Sequence, residues 1–173
     1  MTQALRNIVT AVTKVNMVVG KAASYTLIAL TLLVFFEIIM RYFLNSPSVW
    51  GYDMSLWLYG MPALLAGGYV LANKGHANMD VLYTKLTPRK RAILDLITCF
   101  MFFAFTGVLL YQGLRFANFA ITGNEMAIGA WKVPVWPVKI FVPIAAALIF
   151  AQGIAGFIQN AYMAFTGKEL IRK

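Results

Sequence analysis

Apolar and polar positions along this 173-residue chain separate into long blocks. Four blocks, residues 22–43, 54–72, 92–116 and 133–158, are nearly free of charge and are apolar around the whole helical circumference. A soluble amphipathic helix would instead carry one apolar stripe. Crossing a hydrocarbon core of about 30 Å takes roughly 20 residues at 1.5 Å of rise, and each block reaches that length. The pattern predicts an all-α integral membrane protein with four transmembrane helices, folded as a single membrane domain over residues 1–173. The chain shows no internal repeat and no linker long enough to divide it into separate domains.

Two shorter segments are patterned differently. Leu5, Ile8, Val9, Val12, Val15, Val18 and Val19 recur at spacings of three and four, with Arg6, Thr10, Thr13 and Lys14 mostly on the other side. Residues 1–21 are therefore expected to form an N-terminal amphipathic helix lying in the membrane interface. A short amphipathic helix in the middle loop is expected over 79–87, where Met79, Val81, Leu82 and Leu86 alternate with Asp80, Lys85 and Thr87 ahead of Pro88. The alternative is that both stretches merely solvate the membrane boundary. The first apolar block starts too late, and lacks a small-residue cleavage site after it, to read as a removed signal peptide, so it is expected to stay as a membrane helix.

Composition agrees with a bilayer setting. Hydrophobic residues make up 61% of the chain and charged residues 12%, with a mean hydropathy of +0.72, whereas soluble domains carry about 25% charged residues. The net charge of +9 points to anionic membrane lipid rather than nucleic acid, because the basic residues lie between the apolar blocks instead of clustering on one solvated face. Arg6, Lys14, Lys21, Lys74, Lys85, Arg89, Lys90, Arg91, Lys168, Arg172 and Lys173 fall on one side of the predicted topology. Only Arg41, Arg115, Lys132 and Lys139 fall on the other. The excess of Lys and Arg on the first side predicts cytoplasmic N- and C-termini, the latter in a tail over 159–173, and outward-facing first and third connections.

Candidate chemistry is sparse. Glu37 lies inside the first block, and an intramembrane carboxylate is a functional-site hypothesis by default. It would suit a small homodimeric proton-coupled antiporter, but Arg41 follows four residues later on the same face, in the favourable acid-first order, so an intrahelical ion pair is the competing reading. Asp53 is expected in the first turn of the second span, after a turn in which Ser46 or Ser48 caps and Pro47 starts the helix. Asp95 is expected in the first turn of the third span, stabilised by the helix N-terminus. Arg115 could pair with Asp53 or Glu125. His76 is the only histidine and Cys99 the only cysteine, which excludes bis-histidine haem ligation, a zinc site and an intramolecular disulfide. Cys99 reads as a small core residue. No phosphate-cradling glycine loop or nucleophile elbow is present, so no enzyme activity, cofactor or metal is expected. Ala147, Ala151, Ala155, Gly153 and Gly156 in the fourth block, and Ala63 with Gly67 in the second, allow close helix approach either within the bundle or against a partner. Trp50, Tyr52, Trp57, Trp131 and Trp136 read as an interfacial aromatic belt.

The order Arg41-Tyr42-Phe43, Asn45, Trp50 and Asp53, followed after an apolar span by His76 and Asp80 in GHANMD, resembles the small membrane subunit, DctQ type, of tripartite ATP-independent periplasmic (TRAP) transporters. The motif covers Arg41 to Asp80, and the topology covers the chain. Asp53 stands where the family pattern usually has a glutamate. The resemblance implies a scaffold in a bacterial inner membrane. Its partners would be a large permease subunit of the DctM type, which carries an organic acid and sodium by an elevator movement, and a periplasmic substrate-binding protein. Arg41, Asn45, Trp50, Asp53, His76 and Asp80 would then serve the subunit interface or the fold.

Overall fold

A computed structural model describes residues 2–73, 87–129, 131–167 and 170. Among the described residues five helices follow one another: α1 (Thr2–Tyr42), α2 (Gly51–Ala72), α3 (Pro88–Thr122), α4 (Trp136–Lys139) and α5 (Phe141–Thr166). There is no strand among the described residues, only an isolated bridge between Met126 and Pro134. Four helical stretches among the described residues are long and apolar enough to cross a membrane. The chain is an all-α membrane protein, as the hydropathy pattern predicts.

The expected boundary at residues 21 and 22 is absent. α1 runs unbroken for 41 residues, roughly 60 Å at 1.5 Å per residue. Gly20 does not interrupt it, because that glycine accommodates a neighbour: a Cβ there would lie 2.3 Å from Tyr69 Cβ on α2. Val9, Asn16, Gly20 and Ala23 are buried, so the stripe that recurs at near-heptad spacing continues from the N-terminal segment into the span. Ile8, Val15 and Val18 remain half or more exposed. The expected helix at 79–87, with His76 and Asp80, lies outside the described residues apart from Thr87, which is extended and precedes Pro88 at the start of α3. A helix that starts at Pro88 puts Asp95 in its second turn, not its first. There it accepts a hydrogen bond from Asn160 Nδ2 on α5 at 3.2 Å.

α1 and α2 form one antiparallel hairpin, and α3 and α5 another. In the second, Phe103 meets Phe150 and Phe157 edge-on, with centroids 5.3 and 6.2 Å away. Gly113 brings α3 against the Pro143 backbone, and Gly153 seats Phe102. Pro143 lacks the N–H that would carry the hydrogen-bond ladder smoothly from α4 into α5. α5 is the central element, touching α1, α2 and α3, while α3 packs on α5 and not closely on α1 or α2. Accordingly 28% of the most apolar window of the α4–α5 stretch is buried, against 6% for those of α1 and α3. The small-residue faces divide. Ala155, Gly153 and Gly67 are internal contacts, whereas Ala63 and Ala147 are exposed and nothing lies within 4 Å of a Cβ built on Gly156. Cys99 is only partly buried.

Candidate functional site

All four tryptophans, Trp50, Trp57, Trp131 and Trp136, gather at the bundle end that carries the 43–50 and 123–135 connections. α1 ends there because Asn45 takes a left-handed conformation, φ 50°, which asparagine tolerates better than most residues. Leu44 and Ser46 N–H donate back to Ile39 and Met40 carbonyls at 3.3 and 2.9 Å, widening the last turn. α3 ends in the same way at Asn124, φ 42°.

The turn returns the chain so that Ser48 faces Glu37. The Ser48 N–H donates to Glu37 Oε1 at 3.2 Å, and the Ser48 hydroxyl donates to Oε2. The same hydroxyl accepts from the Gly51 N–H at 2.9 Å, at the first residue of α2. Neither Ser46 nor Ser48 occupies the N-cap, which is Trp50 and makes no side-chain capping bond, and the helix starts at Gly51 instead of Pro47. Arg41 Nη2 lies 3.6 Å from Glu37 Oε1, with the arginine side chain 57% exposed and the glutamate 13%. A Cβ on Gly51 would fall 2.4 Å from Glu37 Oε2 and 2.5 Å from Ser48 Oγ, so the close approach of α1 to α2 requires glycine there. Trp50 stacks on Phe36 at 6.1 Å and 19°.

Asp53 faces away from this group. It is 8% exposed, and its carboxylate lies under Gly129 of the second connection, where a Cβ would meet Oδ2 at 2.8 Å. Trp57, one turn on, packs against Trp131 at 6.2 Å. The motif residues Arg41, Asn45, Trp50 and Asp53 therefore serve two separate contacts. Arg115 reaches neither acid expected for it: its guanidinium lies 5.9 Å from the Tyr111 ring, and Glu125 pairs with Lys139. Lys139 also sits 4.2 Å from the Phe116 ring centre.

A second polar group escaped sequence reasoning. Asn16, 1% exposed, donates from Nδ2 to the carbonyls of Val12 and Leu148 at 3.2 and 3.3 Å and to Gln152 Oε1 at 3.1 Å. Gln152 in turn donates to Thr13 Oγ1 at 3.3 Å. Gly68 makes room, since a Cβ there would lie 1.9 Å from Asn16 Oδ1. The available signal was an amide at each of two positions in otherwise aliphatic runs. No group of three or more metal-ligating side chains occurs among the described residues.

Fold and contacts define a multi-pass membrane protein whose few polar groups tie helices to one another. The chain belongs to the DctQ component family of tripartite ATP-independent periplasmic transporters: the family's sequence model matches residues 30–162. It is thus a small permease subunit of a TRAP transporter, a component of a transport system. A search of curated proteins finds no significant match.

Proposed function

We propose that this subunit is a scaffold in a bacterial inner membrane, with both termini cytoplasmic. It docks on the large permease subunit and steadies the stationary part of it. The large subunit then carries out sodium-coupled, elevator-type uptake of an organic acid delivered by a periplasmic binding protein. The observation that carries the scaffold reading over an antiporter is the state of Glu37. Its two oxygens are engaged by Ser48 N–H, Ser48 Oγ and Arg41, so the acid joins α1 to α2. An exchanging proton or cation would have to break that junction on every cycle. Basic residues and the tryptophan end support anchorage, through anionic lipid and the interfacial belt.

Uptake in cells that retain the large subunit and the binding protein is expected to cease when this chain is deleted; uptake at the normal rate would overturn the scaffold. Glu37→Gln is expected to leave ion coupling intact in whatever complex assembles. Normal assembly with coupling abolished would favour the antiporter.

A further inference from the structure

α3 presents two polar side chains, Gln112 and Arg115, on the outer surface of a membrane span. Both are exposed, and neither side chain makes a hydrogen bond or ion pair among the described residues. They lie in a groove of about 520 Å³ between α3 and the start of α5, walled by Leu109, Phe116 and Phe119 on one side and Val142 on the other. Leu109, Gln112, Phe116 and Phe119 follow at spacings of three and four, and Arg115 is three residues from Gln112, so one face of α3 carries them all. The depth of this face follows from Lys139, whose ammonium lies 4.2 Å from the Phe116 ring centre. Lys139 ends the single turn that begins at Trp136. Arg115 is therefore about one helical turn inside that tryptophan, Gln112 about two and Leu109 about three. Tryptophans at a membrane boundary sit at headgroup level. Arg115 does not turn back outward to water: its guanidinium lies 5.9 Å from the ring of Tyr111, one turn further in, the direction in which helical side chains lean. A cation and an amide placed there without partners are unfavourable in hydrocarbon and call for an anion and an acceptor. Cation, amide and aliphatic wall follow one another inward along the groove. A phospholipid offers in the same order an anionic phosphate, ester carbonyls and an acyl chain, whereas a protein carboxylate would answer only the first.

We propose that this groove binds one anionic phospholipid of the leaflet at the tryptophan end. Its phosphate accepts from Arg115, an ester carbonyl accepts from the Gln112 amide, and an acyl chain lies along Leu109 and Val142. The planar guanidinium suits a phosphate diester. A net negative headgroup is selected over a zwitterionic one, because Glu125, the acid nearest along the chain, is already held by Lys139 and leaves no carboxylate for a headgroup ammonium. The site rests on the membrane position of α3 and not on docking to the large subunit, so the two readings fail separately.

The test is native mass spectrometry of the full chain, delipidated in detergent and titrated with long-chain phosphatidylglycerol. The wild-type chain should retain one such lipid in preference to phosphatidylethanolamine. Arg115→Gln should weaken retention about fivefold, as expected for loss of one cation at a lipid headgroup, and Gln112→Leu by a smaller factor. Leu109→Trp, which fills the groove with Arg115 intact, should weaken it as well and keeps the test decisive should Arg115→Gln fail to fold. Lys132→Gln, which removes an exposed cation at the same end, should leave retention unchanged; an equal loss there would reduce the binding to diffuse surface charge and overturn the proposal. Undiminished retention by a helical, monodisperse Arg115→Gln chain overturns it too. So does displacement of the lipid by inorganic phosphate at equal concentration, since the groove would then read the anion without the chain. Loss of the large permease subunit from Arg115→Gln membranes with lipid retention at the wild-type level would assign the arginine to a protein carboxylate instead.

Discussion

At the tryptophan end, Glu37 on α1 closes onto Ser48 and Gly51; along the same pair of helices, Asn16 on α1 closes onto Gly68. The two junctions share a geometric device, a glycine on α2 that lets a polar side chain of α1 come closer than any Cβ would allow. They differ in charge. Arg41 is 57% exposed and can share its charge with water or headgroups, so an ionic junction is tolerated at that end. Asn16 is 1% exposed and its neighbour Gln152 is 6% exposed, and there the molecule uses neutral amides, whose desolvation is far less unfavourable than that of an ion. Asn16 Oδ1 finds no conventional donor among the described residues and rests against the Gly68 backbone, where a Cα–H contact is the available partner. The choice between charge and amide follows access to water.

Substitutions at the two junctions separate these contributions. Gly68→Val should have the largest effect, about 3 kcal/mol of destabilisation by overpacking, because the clash is with a fully enclosed side chain. Gly51→Val should cost about 2 kcal/mol, since the atoms it meets are side-chain ends that can swing outward. Unfolding in detergent, followed by helical signal, measures both; equal losses would mean that the two junctions are equally enclosed. Gln152→Leu should cost about 1 kcal/mol, near the usual range for a hydrogen bond between membrane helices. A loss several times larger would make the amide pair the dominant tie. Arg41→Ala should cost at most about 0.5 kcal/mol, and a larger loss would show that the charged junction depends on its ion pair more than on Ser48.

The four apolar blocks made the helices legible, because hydropathy and length are properties of contiguous residues. The Glu37 and Arg41 pair was legible for the same reason, being four residues apart on one helix. What escaped was set by distance in sequence. Nothing local marks Asn16 as the partner of Leu148 and Gln152, or Glu125 as the partner of Lys139 in place of Arg115. The unbroken α1 was obscured by the alternation of Thr13, Lys14 and Asn16 with valines, which reads as amphipathic although that stretch turns Val9 and Asn16 toward the bundle. The start of α3 was missed because Arg89, Lys90 and Arg91 follow Pro88 and lower the local hydropathy without impeding a helix. Asp53 was placed correctly in the first turn of α2, but its burial depends on Gly129, which lies in a loop far later in the chain.

α1 has one further consequence. At roughly 60 Å it is about twice the thickness of the hydrocarbon layer, so it behaves as a beam with an overhang. Tipping such a beam by about 10° around its middle swings each end through about 5 Å, one helical turn of its own pitch. Pivoted instead where Glu37 holds its far end, a rotation of only about 7° displaces the helix by about one turn near Arg6, roughly 46 Å away, and any load on either end is shared by a single rigid lever.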